Sequence, residues 1–123
     1  MKWAISVFLL SVVGCLVLFT PADAGNPANA YDFETITVTS STAIGFTAAK
    51  LAPAYSSPPT QAFITVETTN IRFRVDGSTP TQTVGHLVQT TSSGVTIKGE
   101  ENLRHFYAVG IAAGSALQVT YER

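Results

Sequence analysis

The sequence has few of the residues that could cross-link the chain or carry covalent catalysis. It contains a single cysteine, Cys15, and only 12% of its 123 residues are charged. Cys15 lies in an N-terminal apolar stretch, so the rest of the chain has no cysteine for a disulfide, a thiolate metal site or a thiol nucleophile. The sequence also lacks the Gly-x-Ser-x-Gly pattern of serine hydrolases and the glycine-rich fingerprints of nucleotide-binding loops. We therefore predict that the protein is not an enzyme and needs no cofactor.

Charged residues are balanced as well as sparse. The formal net charge of −1 gives no basic surface for nucleic acid, so no nucleic-acid partner is predicted. His86 and His105 could join Asp76 in a metal or acid–base cluster, but their spacing matches no ligand motif. The run that begins at Asp76, DGSTP, offers too few alternating oxygen ligands for a calcium loop and is typical of a turn. No metal site is predicted.

Residues 1–24 have the pattern of an export signal. Lys2 supplies a positive start, residues 4–19 are uncharged and largely apolar, and Ala22-Asp23-Ala24 fits the small-x-small cleavage pattern. The apolar run is shorter than the roughly 20 residues of a membrane-spanning helix, so we expect cleavage and no stable membrane span. Two alternatives are an uncleaved anchor and a lipobox that ends at Cys15. The expected location is the periplasm, the cell envelope or the extracellular space.

After the export signal, the sequence consists of short runs in which apolar and polar residues alternate, separated by turn residues. We predict a flexible leader at residues 25–32 and one β-domain at residues 33–123. Eight short runs rich in β-branched and aromatic residues indicate a single antiparallel β-sandwich with a jelly-roll-like arrangement. The predicted strands are residues 33–39, 43–47, 61–68, 71–76, 83–88, 94–98, 104–111 and 115–122. Residues 46–51 and 100–104 could each form a turn of helix.

The third and fourth runs also suggest a specific hairpin. If Thr69 and Asn70 form a two-residue turn, Glu67 faces Arg72 and Val66 faces Phe73. All apolar pairs then lie on one face and all polar pairs on the other, as a correct register requires. Thr-Asn is a weaker turn signal than Asn-Gly. We interpret Glu67 and Arg72 as a cross-strand ion pair on the solvent face.

Three stretches carry a resemblance to a known family. They are ITVET…IRFRVDGSTPT…VGH (residues 64–86), EENLRHFYAV (residues 100–109) and SALQVTY (residues 115–121). Together they resemble a family of small β-domain proteins that tailed bacteriophages encode and that have no assigned function. The resemblance covers residues 35–121. It implies a structural or virion-associated role, and a location in the virion if the protein is phage-encoded.

These observations favour a protein that works by contact. We expect self-association or a capsid, tail or envelope protein as partner. The candidate interaction face comprises Arg72, Arg74, Glu67, Tyr55 and Tyr107. A binding module for a glycan or another surface polymer is the alternative, because aromatic side chains such as Tyr31, Tyr55 and Tyr107 can stack on sugars.

Overall fold

The computed structural model describes residues 29–123. The predicted export signal, its cleavage site and the possible lipobox lie outside the described residues. Seven strands and two short helices make up this part of the chain. In chain order they are β1 (Ala30–Val38), α1 (Ala48–Leu51), β2 (Gln61–Glu67), β3 (Ile71–Arg74), β4 (His86–Val88), β5 (Val95–Lys98), α2 (Glu100–Arg104), β6 (Tyr107–Gly110) and β7 (Ser115–Glu122).

The strands form two antiparallel sheets. The four-stranded sheet has the order β1-β7-β2-β5 and the three-stranded sheet has the order β4-β3-β6. The pairing is nested: β1 pairs with β7, β2 with β5, and β3 with β4. The all-β prediction is thus confirmed.

Residues 43–47, predicted as a strand, contribute only an isolated bridge. Ile44 pairs with Ala108 of β6 through backbone hydrogen bonds of 2.9 and 2.8 Å. The pairing does not extend further, and the chain enters α1 at Ala48. Between the two, Phe46 is buried and its ring stacks on that of Phe106, with the ring centroids 4.2 Å apart. Both predicted helical turns form, as α1 and α2. Within residues 29–123, neither helix is long and apolar enough to cross a membrane.

The predicted hairpin between residues 64–68 and 71–75 is wrong. β2 pairs with β5 and β7, whereas β3 pairs with β4 and β6 in the other sheet. The chain leaves β2 through Thr68, whose φ of +75° redirects the backbone, and the buried Ser115 hydroxyl donates to the Glu67 and Thr69 carbonyls. The alternation of apolar and polar residues in these two strands is also compatible with strands that lie in opposite sheets of a sandwich and point their apolar side chains at each other. Alternation in the sequence alone cannot distinguish that arrangement from a hairpin.

The inward faces of both sheets form one core. Residues with under a tenth of their surface exposed include Ile64, Ile71, Phe73 and Leu117, so the predicted core sides of β2 and β3 are correct. Phe106 lies between the sheets with Phe46 on one side and Phe73 at 5.6 Å on the other. Full burial of each such side chain contributes about 1.5–3 kcal/mol to folding.

β1 begins earlier than the sequence suggests. Asn29 and Arg123 exchange backbone hydrogen bonds of 3.0 and 3.1 Å, so the pairing with β7 extends into the expected leader. Tyr31 occupies a bulge in β1, donates its hydroxyl to the Lys50 carbonyl at 3.1 Å and lies 4.2 Å below the Arg123 guanidinium. These contacts order residues 29–32.

Gly94 offers a test of the packing at β5. Its φ is +101°, and an added Cβ would lie 2.5 Å from the Phe63 ring and 2.8 Å from the Ile64 carbonyl oxygen. We expect Gly94→Ala to destabilise the domain by about 3 kcal/mol, since it adds backbone strain and a steric clash. Urea unfolding at equilibrium measures the loss.

Gly114→Ala is the matched control. Gly114 has a φ of +84°, but nothing lies within 4 Å of an added Cβ, so only the strain of about 1–2 kcal/mol applies. Equal losses for the two variants would contradict the described contact between Gly94 and Phe63.

Candidate functional site

The outward side of the four-stranded sheet is the broadest regular surface of the described chain. We call it the outer face. The strand alternation and the register place thirteen side chains on it: Phe33, Thr35 and Thr37 from β1, Ala116, Gln118, Thr120 and Glu122 from β7, Gln61, Phe63, Thr65 and Glu67 from β2, and Thr96 and Lys98 from β5.

The centre of the outer face is uncharged. Gln118 accepts a hydrogen bond from the Thr35 hydroxyl at 2.7 Å and donates to the Glu67 carboxylate at 3.1 Å. Gln61 donates to the Glu122 carboxylate. The three charged side chains of the outer face, Glu67, Lys98 and Glu122, each lie at the end of a strand.

An apolar row crosses the outer face at right angles to the strands. Phe33 faces Thr120, Thr120 faces Phe63, and Phe63 faces Thr96. Phe33 has 54% of its surface exposed, while Phe63 is half-buried and lies against Gly94. An aromatic side chain exposed beside threonine methyl groups gives this surface apolar area that a partner could cover.

The two predicted interface arginines hold a loop of their own chain. On β3, Arg72 donates to the carbonyls of Gln82 and Gly85 at 3.0 and 2.9 Å. Arg74 donates from two nitrogens to the Asp76 carboxylate. This hydrogen-bonded pair lowers the pKa of Asp76 and raises that of Arg74. The predicted ion pair between Arg72 and Glu67 is absent from residues 29–123, because the two strands lie in different sheets.

The five residues of the predicted interaction face are not all brought together. Tyr107 of β6 lies beside Arg74 of the adjacent strand β3, whereas Glu67 lies on the outer face of the other sheet. Tyr55, in the loop between α1 and β2, is fully exposed. A partner role for these residues stays a prediction. The sequence also favours sheet faces rich in threonine as interfaces, without saying which strands share a face. The register shows that the alternating threonines of the first, third and last predicted strands lie together on the outer face.

The histidines lie near Asp76 but form no ligand cluster. His86 packs against Phe73 with ring centroids 5.3 Å apart and lines a shallow cavity of about 420 Å³ together with Arg74 and Asp76. His105 accepts a backbone hydrogen bond from Gly77 at 3.2 Å. Among residues 29–123, no three His, Cys, Asp or Glu side chains are grouped to hold a metal ion.

A second polar cluster closes one end of the sandwich. Glu34 accepts hydrogen bonds from the buried Tyr121 hydroxyl and from the amide and hydroxyl of Thr47, the latter two at 3.2 and 2.5 Å. Burial raises the pKa of Tyr121, and the bond to Glu34 raises it further. Nearby, Lys50 pairs with Asp32 at 2.7 Å, and this bond lowers the pKa of Asp32. The cluster joins β1, β7 and the chain before α1, so its role is structural.

Comparisons with models of known protein families, with curated proteins and with solved structures find no match to this chain. The resemblance to tailed-phage proteins therefore stays a prediction that depends on the sequence stretches quoted above.

The Asp76–Arg74 pair predicts a pH dependence. Because the pKa of Asp76 is lowered in the folded state, its carboxylate stabilises the fold above its unfolded pKa of about 3.9, and this contribution is lost as the pH falls through the folded value. We expect Asp76→Asn to lower the unfolding temperature at neutral pH. The variant and the unmodified protein should converge once the pH has fallen below the lowered pKa of Asp76. Thermal unfolding followed by circular dichroism between these limits measures the difference.

Glu100→Gln is the control, because it removes another exposed carboxylate, on α2, whose contact with the Arg104 guanidinium is long, at 3.8 Å. A difference between Asp76→Asn and the unmodified protein that is independent of pH would contradict the prediction.

Proposed function

We propose that this domain is a jelly-roll-like sandwich that acts, without catalysis, by protein–protein contact. The fold part of the proposal is supported by the nested pairing. Counting the segment at Ile44 as a strand gives eight strands in four nested pairs. From the outermost pair to the innermost, they are β1 with β7, the Ile44 segment with β6, β2 with β5, and β3 with β4. Jelly rolls are eight-stranded double sheets of this kind and occur in viral capsid proteins and lectins.

The observation that carries the functional proposal is the outer face. It is four strands wide, its charges lie at the strand ends, and Phe33 is exposed on it. Interfaces are depleted in charge at their centre and enriched in aromatic residues. The outer face has both properties.

The family resemblance and the export signal indicate where such contacts are made. The resemblance favours a virion-associated or decoration-type protein, and the export signal favours the cell envelope. Fold-level analogy with capsid proteins supports the class of protein only. In either location the domain would add a flat, weakly charged surface to a larger assembly.

Fractionation of the native source tests this function. We expect the protein to be recovered in stoichiometric amount with purified virions or envelope complexes, and Phe33→Asp to reduce that recovery at least tenfold because it places a charge in an apolar contact.

Leu87→Asp is the matched control, since Leu87 is an apolar side chain with similar exposure of 45% on β4 of the other sheet. Recovery of the protein only as a free species would reject the proposal, as would equal effects of the two substitutions.

A glycan-binding module is the second candidate, and one observation favours it. Tyr55 is fully exposed in a loop with Pro53, Pro58 and Pro59, which limit the loop's freedom. A rigidly presented tyrosine ring can stack on a sugar face.

Retention on immobilised cell-wall polysaccharide tests this candidate. We expect Tyr55→Ala to abolish retention and Tyr55→Phe, which keeps the ring, to preserve most of it. Absence of retention for the unmodified protein on every surface polymer tested would exclude glycan binding.

A further inference from the structure

An open cavity, which we call the loop cavity, lies over the outward side of the three-stranded sheet. Its volume is about 610 Å³, which is in the roughly 300–1,000 Å³ range of small-molecule sites. One wall is the loop that follows β1, at residues 40–43, and the other belongs to the loop between β3 and β4, at residues 79–83. The floor is Val109 of β6, which lies beside the outward Arg72 and yet has only 4% of its surface exposed. The two loops therefore cover an apolar side chain that lies outside the core.

Hydrogen bonds hold both walls of the loop cavity in place. Gln82 donates from its side chain to the Ser40 carbonyl at 3.2 Å and so joins the two walls. The first wall is fixed at Thr39, whose carbonyl accepts from the Gly110 amide at 2.9 Å. The second wall is fixed by Arg72, whose guanidinium donates to the Gln82 carbonyl. A cavity held in this way is formed before any ligand arrives, as most ligand sites are.

The polar groups of the loop cavity are uncharged. Among the described residues that line it, none is Asp, Glu, Lys, Arg or His. Thr81 uses its hydroxyl to accept from the amides of Thr83 and Val84. Four other lining hydroxyls have no hydrogen-bond partner within residues 29–123, namely those of Ser40, Ser41, Thr42 and Thr79. Each of these four groups is free to donate and to accept.

We propose that the loop cavity binds a neutral sugar. A pyranose ring carries hydroxyl groups around its edge and C–H groups on its faces. It can therefore bond to the hydroxyls of both walls while one face covers the apolar Val109 and Pro80. A charged ligand is disfavoured, because the lining has no opposite charge to offset the loss of its hydration. The inference goes beyond the proposed function, since the loop cavity and the outer face belong to different sheets.

The loop cavity is distinct from the loop that presents Tyr55. That loop lies near the start of β1, because Arg123 donates to the Ser57 carbonyl at 3.4 Å and exchanges backbone hydrogen bonds with Asn29. The first wall of the loop cavity follows the other end of β1, about 25 Å further along at 3.3 Å per residue. The two candidate sugar sites can therefore be told apart by the residues that a ligand perturbs.

Titration followed by nuclear magnetic resonance tests the proposal, because amide chemical shifts register weak binding and locate it. No aromatic ring is among the described residues that line the loop cavity, so hydrogen bonds rather than stacking carry the affinity. The probes are glucose, galactose, mannose and N-acetylglucosamine, with glucuronate as the charged counterpart. We expect at least one neutral sugar to shift the amide signals of residues 40–43 and 79–83 saturably. Glucuronate should bind at least about tenfold more weakly, because its carboxylate finds no opposite charge in the lining.

Two variants remove one lining hydroxyl each. Thr79→Val keeps the shape of the side chain, and Ser41→Ala changes the other wall. Each should weaken binding by about three- to tenfold, which is the effect of losing one neutral hydrogen bond. Thr96→Val, on the outer face, is the matched control and should leave the affinity unchanged, as should Tyr55→Ala. Circular dichroism confirms that each variant is folded.

Absence of a saturable shift with every neutral sugar of the panel would overturn the inference. Equal affinity for glucuronate, or unchanged binding by both cavity variants, would overturn it as well. Shifts confined to the loop around Tyr55 would also reject the loop cavity and would support the glycan candidate at that residue. None of these results bears on the outer face, whose role in assembly is tested separately by the recovery of Phe33→Asp.

Discussion

The pairing of β7 on both of its edges is the interaction on which the rest of the structure depends. β7 lies between β1 and β2 and alternates strictly between buried and half-buried side chains over its eight residues. Its inward residues Leu117, Val119 and Tyr121 are fully buried and form the side of the core that the four-stranded sheet contributes. Its outward residues Gln118 and Thr120 lie at the centre of the outer face. One strand therefore contributes both to the packing of the core and to the centre of the outer face.

Tyr121 of β7 both packs in the core and holds the neighbouring strand β1. Its ring packs edge-on against Phe46, while its hydroxyl reaches the carboxylate of Glu34 on the neighbouring strand. An inward-pointing carboxylate on the edge strand β1 is costly to bury unless it is hydrogen-bonded, and Thr47 supplies the remaining donors. Charged residues that point inward also discourage edge-to-edge association. The protein thus leaves the face of this sheet open while its β1 edge is protected.

Much of the fold could be predicted from the sequence because period-two alternation reports directly on which side chains are buried. The β class and the positions of most strands follow from it, whereas the two helical turns are expected from the short stretches at residues 46–51 and 100–104. Strand pairing does not, since residues 64–75 satisfy the same alternation as a hairpin or as two facing strands, and only distant partners such as Gln118 and Tyr107 separate the two. The candidate site was harder for a related reason. Arg72 and Arg74 are conspicuous in the sequence because they are charged, yet they bind residues 76–85 of their own chain. The outer face is indicated only by alternating threonines, and threonine is common in strands generally.

The nested order of the pairs has a consequence for how the chain reaches its folded state. β1 pairs only with β7, the seventh of the strands in residues 29–123, and β2 is joined to β1 only through β7. Contacts between residues so far apart in sequence fold slowly, because the loops between them must close first. The strands of the N-terminal half of the domain therefore cannot complete the four-stranded sheet without β7. Formation of the four-stranded sheet thus depends on contacts between the two ends of the domain, so it is slower than the formation of a sheet built from local hairpins.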